Sequence, residues 1–328
     1  MKKLFTYSEG ILEAYEYLLT NHKEFFVIGQ GLWSPWYVGE TMTDLDKKFG
    51  KERVIDCPVS ELAVTGAAVG AAICGYKPMV VHPRVDFMLL AIDQIVSQAA
   101  KWRHMFGGNS SAPATFRAII NRGGEQGAQH SQSLHSWFAH IPGLKVVMPY
   151  TAKDARDLMI ASVLSNDPVL FIDDRWLYEK KETHTKIEIL DLDEIRPQLL
   201  HEGSDVTLVG VSYTSLLVES AAKSVSHQNI SCDAFDIRVL NPLNVDNIIK
   251  SVEKTGRLIV VDGDWKNCGF AGEIIANVIE NIQVRKLKSS PVRITLPEAP
   301  APTSRILEKE YYLKELQIIN AIKDVISK

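Results

Sequence analysis

Glu61-Leu-Ala-Val-Thr-Gly66-Ala-Ala-Val-Gly70 puts one carboxylate ahead of a run of small residues. Ser60 precedes it as a residue of N-cap type, so Glu61 falls in the first turn of a helix, where unpaired backbone N–H groups favour a negative charge. Taken alone, it reads as an ordinary first-turn acid. Gly66 and Gly70 share one helical face, and each costs about 1 kcal/mol relative to Ala; close approach of another backbone would offset that. A second polar group, Gln129-His130-Ser131-Gln132, follows an apolar strand and the loop Gly123–Gly127. Polar residues at the C-terminal edge of a parallel strand are well placed to line a ligand crevice. A third, His82-Pro83-Arg84-Val85-Asp86-Phe87, ends another strand. Its permanently charged guanidinium suits a carboxylate or phosphate, although an Arg84–Asp86 surface pair or a salt bridge at a subunit contact would use the same residues.

The elements that must position these groups alternate along the chain. Short apolar strands are expected at 25–29, 54–57, 79–82, 115–121, 145–148 and 169–173, with helices near 7–21, 61–75, 88–106, 132–138 and 152–165. This rhythm predicts a mostly parallel sheet covered by helices. Residues 179–204 are charged and irregular and read as a linker between domains at 1–178 and 205–328. In the second domain, strands are expected at 206–211, 231–236, 257–262 and 292–295, with helices near 214–226, 244–254, 269–282 and 313–327. The fold class is therefore α/β.

Bulk properties narrow the function. At 328 residues, 46% hydrophobic and a net charge of −4, the chain has room for two cores and no electrostatic footprint for nucleic acid or membrane. Met1-Lys2-Lys3 is not followed by an apolar signal segment, and no run approaches 18 apolar residues, so the cytoplasm is the expected compartment. Cys57, Cys74, Cys232 and Cys268 have no CxxC spacing and are expected to be reduced; no metal site is expected.

Glu, four residues, Gly, three residues, Gly resembles the glutamate motif of thiamine diphosphate enzymes. The blocks "VIDCPVSELAVTGAAVGAAICGYKPMVV", "AIDQIVSQAAKWRHMFGG", "GAQHSQSLHSWFAHIPGLKVVMPYTAKDARDL" and "NDPVLFIDDRWLYE" follow in the order and spacing of the beta subunit of the decarboxylating component of 2-oxo acid dehydrogenases. The resemblance spans nearly the whole chain. It implies two three-layer α/β/α domains, a transketolase-like pyrimidine-binding domain and a transketolase C-terminal-like domain. It implies that Glu61 shares a proton with the cofactor's pyrimidine, with Leu62, Phe87 and Gln30 beside the cofactor. His130 matches the family's active-site histidine, and Gln129 and Arg84 are expected near the substrate. Trp137, Gly66 and Gly70 are expected at subunit contacts. Asp262-Gly263-Asp264-Trp265 is only superficially like the motif that holds magnesium and diphosphate, for it lacks the second glycine and the downstream asparagines. The resemblance thus implies an alpha partner that holds Mg2+ and the diphosphate, an alpha2beta2 assembly, a structural K+, and a lipoyl acyltransferase core as acceptor.

Three departures bear on the acceptor. Gln30 stands where the family usually has an acid, Arg84 replaces a typically apolar-aromatic or acidic stretch, and the loop at 121–128 is shorter. They leave open a split transketolase-like or acyloin-forming transferase that uses a ketose or an aldehyde or ketone acceptor. A non-catalytic assembly subunit is a third reading, which the presence of Glu61, Phe87 and His130 opposes.

Overall fold

The computed structural model describes residues 3–327; Met1, Lys2 and Lys328, at the outer ends of the two expected domains, lie outside them. The chain divides into two compact units, Met1–Arg122 with Trp137–Glu194, and Gly123–Ser136 with Ile195–Lys328.

The first unit begins with β1 (Leu4–Thr6) and α1 (Tyr7–Asn21), followed by β2 (Phe25–Gly29), α2 (Leu45–Phe49), β3 (Val54–Asp56), α3 (Glu61–Ile73), β4 (Lys77–His82) and α4 (Val85–Met88). It continues with α5 (Ala100–Met105), β5 (Thr115–Ile120), α6 (His135–Ala139, whose first two residues belong to the second unit), β6 (Lys145–Val147), α7 (Ala152–Leu164), β7 (Val169–Asp174) and β8 (Lys181–Thr183). The strands run in the order β6-β7-β5-β4-β2-β3, all parallel. Every residue of β5 and β7 is buried, as a sheet covered on both faces requires. Thr6 and Glu9 close a capping box at the start of α1, worth about 1 kcal/mol. Inside this core, Arg117 makes a bidentate pair with Asp173 (3.0 and 2.8 Å) and a bond to Thr41.

The second unit holds β9 (Gln198–His201), β10 (Val206–Gly210), α8 (Tyr213–Ser226), β11 (Cys232–Asp236), β12 (Val239–Asn241), α9 (Asp246–Thr255), β13 (Leu258–Trp265), α10 (Phe270–Asn281), β14 (Val292–Leu296), α11 (Arg305–Tyr311) and α12 (Glu315–Ile326). Its sheet runs β14-β13-β10-β11-β9, parallel except for β9 at the edge. Val206, Leu208, Val218, Ile259, Val261, Ile318 and Ile322 pack as its core.

The α/β expectation holds in both units, with local corrections. The single helix expected at 88–106 changes pitch. It passes from α4 through a 3-10 turn at Leu89–Ala91 and a wide π turn at Gln94–Ala99 into α5. Ala99 at the end of the wide turn and Ala100 at the start of α5 are both buried. The helix expected at 132–138 starts only at His135. The stretch read as linker contributes β8, paired antiparallel with β1, and the edge strand β9. No helix among the described residues is long and apolar enough to cross a membrane.

Candidate active site

Glu61 opens α3, as the sequence predicts, directly after the C-terminal end of β3. Ser60 occupies the N-cap position, but its side chain makes no capping bond. The helix stops at Gly75, whose φ of +95° allows Tyr76 N to reach Ala71 O and Gly75 N to reach Ala72 O. The Glu61 side chain is 7% exposed and accepts a hydrogen bond at Oε1 from Gln30 Nε2 (3.1 Å), leaving Oε2 open to another donor. Gln30 follows Gly29, where a Cβ would lie 2.7 Å from Val81 O, so the close approach of β2 to β4 requires glycine. Asp56 Oδ1 accepts from Gly31 N (2.6 Å), pinning the turn that carries Gln30.

One helical turn along, Thr65 is buried and its hydroxyl lies 3.5 Å from His82 Nε2 at the end of β4. Burial alone pushes the His82 imidazole down to about 4, so it is neutral at physiological pH. The half-buried Cys57 is pushed up to about 11 by desolvation and by the negative charges of Asp56 and Glu61. The sequence reading assigned no role to either residue. A histidine in an apolar strand and a cysteine before a proline carry no spacing signal that could have marked them.

The other expected residues are spread out. Phe87 is half-buried in α4, and Arg84 is the half-buried residue just before that helix, its carbonyl accepting from Phe87 N (3.2 Å). Leu62 points outward, 51% exposed. Gly66 faces a side chain, Gln94, rather than the backbone expected, and a Cβ there would lie 3.2 Å from its Oε1; Gly70 is exposed and open. Trp137 is 57% exposed. Gln129 is exposed and His130 half-buried, both in the segment Gly123–Ser136 that clusters with the second unit.

In the second unit the Asp262-Gly263-Asp264 stretch is the end of β13, and both carboxylates are engaged. Asp262 bonds His135 Nε2 at Oδ1 (3.0 Å) and accepts from Ala271 N at Oδ2 (3.1 Å). Asp264 Oδ2 accepts from Ser136 Oγ (2.5 Å). Burial, and then the neighbouring Asp262 charge against the opposing pull of His135, holds the Asp264 carboxyl above its ordinary range. Among the described residues no three His, Cys, Asp or Glu side chains group as a metal site.

Residues 3–181 match the family "Transketolase, pyrimidine binding domain", and residues 196–318 match "Transketolase, C-terminal domain". Pyruvate dehydrogenase E1 component subunit beta of Rickettsia bellii is 34% identical over 322 residues, covering 98% of both chains. Acetoin:2,6-dichlorophenolindophenol oxidoreductase subunit beta of Cupriavidus necator is 38% identical over 276 residues, covering 83% of this chain and 80% of that one. A solved structure described as "Split gene transketolase, inactive beta4 tetramer" superposes with a TM-score of 0.76 at 18% identity, covering 98% of both chains. Fold and site together define a two-domain protein of transketolase type. The chain belongs to the family of beta subunits of thiamine diphosphate-dependent 2-oxo acid dehydrogenases, which includes the pyruvate and acetoin dehydrogenase beta subunits.

Proposed function

We propose that this chain is the beta half of a heteromeric enzyme that decarboxylates a 2-oxo acid with thiamine diphosphate and passes on the acyl unit. The observation that carries this reading is Glu61, a buried carboxylate whose one oxygen is held by Gln30 while the other is open, in a domain of the pyrimidine-binding family. The donor set fits the cofactor's pyrimidine, which needs a carboxylate to share a proton at a ring nitrogen. When bound, thiamine diphosphate supplies the electron sink for loss of carbon dioxide. Glu61 Oε2 holds the shared proton, Gln30 fixes the carboxylate's orientation, and Phe87 offers an aromatic face. Leu62 adds apolar contact beside them. His130 and Gln129 hydrogen-bond the 2-oxo acid, and Arg84 pairs with an anionic group on donor or acceptor.

Asp262 and Asp264 are committed to His135, Ala271 and Ser136, which supports a partner alpha subunit as the holder of Mg2+ and diphosphate. An alpha2beta2 assembly would cover Trp137 and the exposed face that includes Gly70. Gln30, a neutral amide on Glu61, favours a second reading in which the acyl unit goes to an aldehyde or ketone rather than to a lipoyl group. Assaying the heteromer with 2-oxo acids against lipoyl and aldehyde acceptors separates the two. Replacing Glu61 by Ala in the purified heteromer should lower turnover by about 1,000-fold, as loss of a preorganised charge in a dry site does. Turnover near wild type would sink the proposal.

A further inference from the structure

The stretch that carries Gln129 and His130 has no regular secondary structure of its own before His135. It opens on three glycines and Glu125 with positive φ, the non-glycine Glu125 at +62°. In its middle, Ser131 is buried and its hydroxyl has no hydrogen-bond partner. Such a segment relaxes unless its ends are held.

Both ends are held by the second unit. At the start, Gly123 N donates to Tyr312 Oη (3.1 Å) and Glu125 N to Glu308 Oε1 (2.9 Å). At the end the ties are deeper. Ser133 Oγ and His135 Nδ1 are 3.0 Å apart, and His135 Nε2 meets Asp262 Oδ1 at 3.0 Å, with His135 1% exposed and Asp262 fully buried. An ionised Asp262 only accepts, so the hydrogen of that bond sits on Nε2 of His135. Asp262 is itself fixed by Ala271 N at the start of α10, and the Phe270 ring stands edge-on to the imidazole, centroids 6.2 Å apart. Ser136 repeats the device on Asp264.

We infer that His135 and Asp262, seconded by Ser136 and Asp264, are positioning residues that tether the Gln129–His130 segment to the second domain and set the orientation of His130 for the reaction. This rests on the reading of His130 as a substrate-binding group. The tether is direct side-chain bonding from a strand end, so it fixes the segment where no backbone ladder does. Both carboxylates of this Asp-Gly-Asp stretch take part in the tether. His130 lies five residues from the tether, close enough for its loosening to misplace the side chain. Misplacement of a reacting group by about 1 Å costs on the order of a hundredfold in rate.

The test uses the full chain purified with its alpha partner. His135→Phe keeps the ring volume against Phe270 and loses both hydrogen bonds; His135→Gln keeps an N–H donor for Asp262. Hydrogen exchange read peptide by peptide should rise in 123–136 for His135→Phe, with β10, β11 and β13 as protected as in wild type. Turnover should fall about ten- to a hundredfold with KM little changed, and His135→Gln should recover most of both losses. Unchanged exchange in 123–136 overturns the tether. Raised exchange with unchanged kcat, in a protein that His130→Ala inactivates, overturns the positioning role. If His130→Ala turns over like wild type, the reading of His130 fails instead, and the exchange result still decides whether the tether exists.

Discussion

Glu61 in the first domain and Asp262 in the second are both buried carboxylates beside the C-terminal end of a parallel strand, and they are held in opposite ways. Glu61 receives one side-chain hydrogen bond, on one oxygen, from Gln30. Asp262 is bonded at both oxygens, by an imidazole and by a backbone N–H. A carboxylate with one oxygen open is placed to share a proton with something that arrives; one bonded at both oxygens is placed to hold what is already there. Burial therefore does not by itself mark an acid as chemical. The number of its lone pairs already engaged separates the two roles.

The contrast is broken or sharpened most directly by truncation. Asp262→Ala strands the His135 and Ala271 donors in the interior and should lower stability by about 3 kcal/mol, measured by urea unfolding. Glu61→Ala should change stability by less than about 1 kcal/mol while removing nearly all turnover. Equal stability losses at the two sites would collapse the distinction.

His82 in the first domain and Asp264 in the second should contribute opposite slopes with pH. His82 has a folded pKa of about 4, below its ordinary 6.5, so the folded state binds fewer protons in that window. Its contribution is complete above pH 6.5 and is lost as pH falls toward 4, up to about 3 kcal/mol. Asp264 is raised, so in the window that opens at its ordinary 3.8 the folded state binds more protons, and its contribution falls as pH rises. His82→Phe should flatten acid sensitivity, and Asp264→Asn should remove the opposing slope. Unfolding midpoints measured from pH 4 to 7.5 decide; a His82→Phe protein as acid-labile as wild type refutes the first half.

A smaller difference is reactive rather than thermodynamic. Cys57, next to Asp56 and near Glu61, carries about a hundredfold less thiolate than an ordinary thiol, its pKa being about 11 against 9.0. Alkylation at pH 8, followed by mass spectrometry, should modify the exposed Cys74 and Cys268 well before Cys57. Glu61→Gln should speed modification of Cys57 by removing one of the charges that oppose its ionisation. No change on that substitution would mean that burial and Asp56 suffice to protect the thiol.

The smallest effect concerns substrate choice. Arg84→Ala should lower kcat/KM by about ten- to a hundredfold for the anionic substrate, the worth of a charge-assisted hydrogen bond of about 1.5–3 kcal/mol. Cofactor affinity should stay near normal, and Arg84→Lys should rescue only in part, because the planar fork is lost. Unchanged kinetics for every substrate, or a heteromer that falls apart, would make Arg84 a surface or interface residue.

What the sequence determined by itself is local. Apolar runs such as Thr115–Ile120 and Val169–Asp174 announce strands buried on both faces, and the residues around Glu61 announce a helix start, because each signal is written within a few positions of the chain. The family was legible for the same reason, its motifs being contiguous. The tertiary structure decided everything that joins distant residues. Gln30 meets Glu61 across 31 positions, Arg117 meets Asp173 across 56, and His135 meets Asp262 across 127. His135 carried no functional signal, and Asp262-Gly263-Asp264 was only superficially like a magnesium motif, because neither stretch names its partner. Hydrogen bonds between side chains depend on distances of about 3 Å, and only the folded path of the chain sets those.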